Sequence, residues 1–195
     1  MQTKNTLEKE AAEDVFFGQI VIIWARWFFI IAATILALWS AGTMTELTIT
    51  MMLVMALMGV NFFIHGRYLM EKPANQFMLI ASSLFDVLII TTIVATWQGQ
   101  NGAQSQFFIL YYPLVFAFSL VFAPKLTAPF TLLVSGLYVL VCALIDPSAM
   151  FTLKGFEMLF MRTLTLAAMG GLGTFYWRVQ RDRRHAMLGK VARNI

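Results

Sequence analysis

Apolar side chains gather in six long runs, residues 20–39, 47–63, 77–97, 107–122, 126–144 and 156–177, separated by short polar connections. A bilayer core about 30 Å thick takes about 20 residues of helix, and backbone groups in hydrocarbon must pair within their own segment. Each run fits that length, so the pattern predicts an all-α, polytopic membrane protein with six transmembrane helices. Residues 20–177 then form one membrane domain. Residues 1–19 are expected to form an N-terminal helix at the cytoplasmic interface, and residues 178–195 a basic amphipathic cytoplasmic tail.

The composition strengthens this picture: 59% of residues are hydrophobic, 12% are charged and the mean hydropathy is +0.75, far from the balance of a water-soluble domain. The short loops leave no room for a soluble catalytic domain. The start, with Glu8, Glu10, Glu13 and Asp14, is too acidic for a secretory signal peptide, so the first span is expected to stay attached. Asn5 followed by Glu8 reads as the start of a helix that runs along the surface or continues into the first span.

Charge placement adds orientation. With the N-terminus inside, the inner segments hold Lys4, Lys9, Arg67, Lys72, Lys125, Arg178, Arg181, Arg183, Arg184, Lys190 and Arg193, and the outer loops hold Lys154 alone. Cations in short loops stay on the cytoplasmic side, so both termini are expected in the cytoplasm and the protein in a cell (inner) membrane. The net charge of +4 thus reports orientation, and no nucleic-acid partner is implied.

Candidate chemistry is sparse. Cys142 is alone, His65 and His185 are isolated, and phosphate loops, nucleophile elbows, zinc-protease helices and Cys-x-x-Cys pairs are missing, so neither a metal site nor an enzyme activity is expected. His65, at the inner end of the second span, reads as a snorkelling residue rather than a haem ligand. Charges inside the spans need a reason, because a central Asp or Arg costs about 2.5–3.5 kcal/mol on insertion scales. Asp86 lies near the middle of the third span and Arg162 about 9 Å into the sixth by helical rise, at depths close enough for a charge pair. Arg26, flanked by Trp24 and Trp27, reads instead as an anchor at the inner membrane boundary.

Asp86 in the third span, the turn Asn101-Gly102-Ala103-Gln104-Ser105-Gln106-Phe107, and Leu110-Tyr111-Tyr112 opening the fourth span resemble the six-helix N-terminal membrane domain of bacterial sensor histidine kinases of the redox-sensing type. In that group the loop typically reads Gly-Gly-x-x-Asn-Pro-Phe, or a Ser-Pro-Phe variant, followed by Leu-Tyr. Gly102, Ser105, Phe107, Leu110 and Tyr111 match, while Asn101 replaces the first Gly and Gln106 the Pro. Arg26-Trp27 and the basic run 178–184 are also similar to the group. The resemblance implies that Gly102, Ser105, Phe107 and Tyr111 form a signal loop and that a quinone or another lipid-soluble molecule is the signal.

The kinase part of that group has no counterpart in the 18 residues after Trp177, and His185, in Arg-Arg-His-Ala-Met, lacks the acidic residue and Pro of a phosphorylation box. The expected function is therefore a membrane sensor or anchor module that relays a membrane signal to a cytoplasmic partner. Its other expected partners are the bilayer and a second copy or other membrane subunits. Two readings of different class stand beside it: a small accessory subunit of a larger membrane complex, and a small transporter. Gly170, Gly171 and Gly173, with Ala167 and Ala168, would allow close helix approach, within the bundle or at a dimer seam.

Overall fold

The computed structural model describes residues 2–70, 72, 74–97, 102–145, 147 and 151–191, with side chains described between 18 and 182. The described residues are helical and include no strand. They form α1 (Gln2–Ser40), α2 (Met44–Leu69), α3 (Gln76–Thr96), α4 (Tyr111–Val121), α5 (Pro124–Ile145) and α6 (Leu153–Val191), with two 3-10 turns, Gly102–Gln104 and Gln106–Leu110, ahead of α4. Five helical stretches, Gly18–Ser40, Met44–Leu69, Gln76–Thr96, Pro124–Ile145 and Leu153–Asp182, are long and apolar enough to cross a membrane. The chain is accordingly a multi-pass membrane protein by its helices.

The fourth expected span, 107–122, falls on the apolar helical segment Gln106–Val121 but is not regular α-helix throughout. It is an α-helix only over Tyr111–Val121, and even with the preceding 3-10 turn the apolar segment is shorter than the other five. Its surroundings explain why. It is packed against α1, α3, α5 and α6, and its side chains Tyr111, Leu114, Val115, Ala117, Phe118 and Ser119 are buried. Irregular backbone at membrane depth is tolerated where protein rather than lipid covers it. Pro113 falls in the first turn of α4, where a missing N–H breaks no helix bond.

Around this central post the helices sort by face in the manner hydrocarbon demands, with polar and small groups inside and bulky apolar ones outside. On α1 the buried stripe is Gln19, Ile22, Ile23, Arg26, Phe29, Ile30, Ala33 and Ala37, whereas Trp24, Phe28, Ile31, Ile35 and Leu38 are exposed, Trp24 by 70%. An apolar face of that size is stable only against lipid or another protein. Hydroxyls within the spans are satisfied locally: Thr34, Ser83, Thr91 and Thr163 each donate to the carbonyl four residues earlier.

The N-terminal polar segment is not a separate surface helix. It is continuous with the first span in α1, which starts at Gln2, upstream of Asn5. At the other terminus α6 continues through Val191 and does not break at Gly189. At 39 residues each, these helices are about 58 Å long by helical rise, well beyond a bilayer core of about 30 Å. The side chains of the tail beyond 182 lie outside the described residues.

Both helices overrun the bundle at the same end. Gly18 meets the Val121 side chain at the close of α4, and Gly173 meets Ser119 two residues earlier. Gln19 is clamped there as well, donating from Nε2 to the Ile64 carbonyl at 2.9 Å and accepting the Ala74 N–H at Oε1 at 2.8 Å. One buried amide thus ties the start of the first span to the end of α2 and the start of α3.

Candidate functional site: a buried ion pair and a capped aromatic end

Arg26, on the inward stripe of α1, points across to α3. Its Nε donates to both carboxylate oxygens of Asp86, at 3.0 Å to Oδ1 and 2.8 Å to Oδ2, and the two side chains are 0% and 1% exposed. Around the pair lie Ile22, Ala25 and Phe29 of α1, Ser83 of α3, and Leu114, Ala117 and Phe118 of α4, lining a partly open cavity of about 10 Å3. The Nη1 and Nη2 groups of Arg26 are buried with no hydrogen-bond partner. The Asn61 amide, buried on the inward face of α2, is likewise unpartnered.

The charge pair drawn from depth, Asp86 with Arg162, does not form. Depth gives only the coordinate along the membrane normal. Lateral neighbours decide pairing, and α1 supplies the nearer cation. Arg26 correspondingly is not an interfacial anchor: it lies eight residues past Gly18, where the apolar stretch begins, about 12 Å in by helical rise. The signal was present in helical phase. Arg26 shares a stripe with Gln19, Ala33 and Ala37, and the Trp24 that suggested an anchor points the opposite way.

Arg162 turns to the far end of the bundle. Its Nη1 donates to the Tyr138 hydroxyl at 2.6 Å, and its guanidinium lies 4.8 Å from the centre of the Phe108 ring. Phe108 in turn packs on Tyr138, Tyr111 and Tyr112, with ring centres 4.4, 5.7 and 5.1 Å apart. The Tyr111 hydroxyl shares a 2.6 Å hydrogen bond with Thr91 of α3. The ring face and the phenol oxygen both offer negative charge to the cation.

Of the four loop candidates, Tyr111 belongs to this cluster, and Gly102, Ser105 and Phe107 lie on the turns that lead into it. Gly102, at φ 56°, sits close to Ile145 and the Cys142 backbone of α5. This left-handed conformation suits glycine. The Ser105 hydroxyl accepts the Phe107 N–H at 3.3 Å, opening the second 3-10 turn, and Phe107 packs on Trp97 at 4.7 Å. Tyr111 is fully buried. Residues 98–101, including Asn101 of the quoted loop, lie outside the described residues. The structure therefore brings Gly102, Ser105, Phe107 and Tyr111 together with Arg162 at one end, and sets Asp86 with Arg26 deeper in the bundle.

Tyr138→Phe tests the far cluster. Removing the hydroxyl strips Arg162 of its acceptor while leaving the ring stack intact, and the expected loss is about 1–2 kcal/mol in unfolding free energy in detergent. Tyr111→Phe, which removes a bond between two neutral hydroxyls, costs less, about 0.6 kcal/mol. The order of the two losses is read from thermal unfolding under identical conditions. No protein-family model, curated protein or solved structure matches this chain.

Proposed function

We propose that the chain is a membrane sensor or anchor module of a cell (inner) membrane, with six spans and both termini in the cytoplasm. It receives a membrane or lipid-soluble signal near the Arg26–Asp86 pair and passes helix motion along α1 and α6 to a cytoplasmic partner. The observation that carries the reading is the buried pair on α1, one of the two helices that leave the bundle at the same end as unbroken rods. A change in the pair moves α1 against α3 and α4, and α4 is the helix on which α6 is closely seated through Gly173. The cation bias supports the orientation: every Lys and Arg of the termini and of the loops at their end belongs to the set expected inside, and Lys154 stands alone in the loops at the other end.

The test is a distance. In a Cys142→Ser background, spin labels at Ala11→Cys and Gln180→Cys, diluted with unlabelled protein in nanodiscs, report the spacing of the two rods. Asp86→Asn is expected to shift that distribution by several ångströms, on the scale of known helix displacements of about 1–5 Å. Arg162→Gln, at the far end, is expected to leave it in place. An unchanged distribution in Asp86→Asn rejects relay through the pair.

One observation favours the accessory-subunit reading. Ala167, Ala168 and Gly171 are exposed on α6, and nothing lies within 4 Å of a side chain built at Gly171. Such a strip suits a helix of another subunit. Co-purification with a fixed assembly at constant stoichiometry would select that reading.

A further inference from the structure

A guanidinium in hydrocarbon with only one of its three nitrogens used is incomplete. Arg26 spends Nε on Asp86, and Nη1 and Nη2 are left buried and bare. Burying N–H donors without acceptors is among the costlier arrangements in a folded chain, and more so for a charged group. The cavity that Arg26 lines, about 10 Å3, is at the threshold of about 10–15 Å3 at which one water-sized group fits.

We propose that Arg26 Nη1 and Nη2 bind an uncharged hydrogen-bond-acceptor oxygen in the cavity between α1, α3 and α4. Charge selects the class. The pair is already neutral, so an anion would add an uncompensated charge at membrane depth, and a cation would face the guanidinium. The wall supplies a complementary group, because Ser83 gives its proton to the Leu79 carbonyl at 3.0 Å and keeps its oxygen free to accept. Two sources carry such an oxygen: an internal water, or the carbonyl of an apolar molecule whose body lies toward the lipid. Ala25 marks the route for the second, since it alone among the lining residues is not buried.

This assignment concerns the pair on which the sensor reading rests, but its measurements involve no output. The full chain is purified in mild detergent and examined by native mass spectrometry and by infrared spectroscopy in ordinary and 18O water. A carbonyl source appears as one equivalent of an apolar carbonyl compound on the wild type that Ala25→Phe excludes. A water source appears as an 18O-sensitive O–H band, abolished by the cavity-filling Ala117→Val together with a lower melting temperature. Ser83→Ala, which adds no atoms, shifts that band and guards against misfolding of the filled variant. Absence of both signals, with Ala117→Val melting at or above the wild type, shows a dry cavity and overturns the proposal. In that case the spin-label distances still stand or fall separately.

Discussion

Asp86→Ala lowers the unfolding free energy of the protein in mild detergent by about 3–5 kcal/mol, the range for breaking a buried pair from one side. The loss does not measure an attraction. It measures Arg26 left charged, 0% exposed and without its carboxylate. Two outcomes separate this from a mere loss of packing. Arg26→Leu with Asp86→Leu recovers most of the stability, since a neutral apolar pair of similar volume is often no worse than an ion pair in low dielectric. In addition, a double-mutant cycle of Asp86 with Arg26 shows strong coupling, while the cycle of Asp86 with Arg162 is additive within about 0.5 kcal/mol, as for groups without shared partners. Strong coupling to Arg162 instead would mean that the helices pack differently from the arrangement described.

That cycle also separates what the apolar pattern dictates from what it leaves open. Hydropathy places the long helices well, because a 3.6-residue helix in hydrocarbon leaves few alternatives to a run of about 20 apolar residues. It places the fourth within a residue but does not show that its first part is 3-10 backbone, since the rule assumes lipid around each span and α4 is enclosed by four other helices. The functional candidates were visible as residues but not as partners. Asp86, Arg162 and the loop residues stand out as polar groups in or beside apolar runs; which of them touch depends on helix azimuth and order in the bundle. Azimuth was partly legible: positions 19, 26, 33 and 37 of α1 repeat at helical spacing and carry the polar and small residues, the signature of an inward face in lipid. The order of helices around α4 had no local signature. For that reason depth alone points Arg162 to Asp86 rather than to Tyr138, a phenol that carries no charge.

Gly173→Val is expected to be the most damaging change on α6, with a loss of about 3 kcal/mol, at the upper end of the overpacking range. A Cβ built at Gly173 overlaps the Ser119 hydroxyl, comes within 2.8 Å of Ser119 Cβ and reaches 3.2 Å from the Phe116 carbonyl. The first contact could be relieved by rotating a hydroxyl, but the other two involve atoms on or next to the α4 backbone, so the helices themselves must part. Rotating the hydroxyl also gives up its own 2.7 Å bond to the Phe116 carbonyl. Ser119→Gly should restore part of the loss by reopening that space. Gly171→Val, two residues away on the same helix with open space around it, should change the stability of the isolated protein by less than about 0.5 kcal/mol, the usual range for surface changes. If the two glycines respond alike, α6 is not seated on α4 through this face. The contrast also bears on the accessory-subunit reading, because a Gly171→Val that is silent in the isolated protein yet abolishes association in native membranes assigns that face to a partner helix.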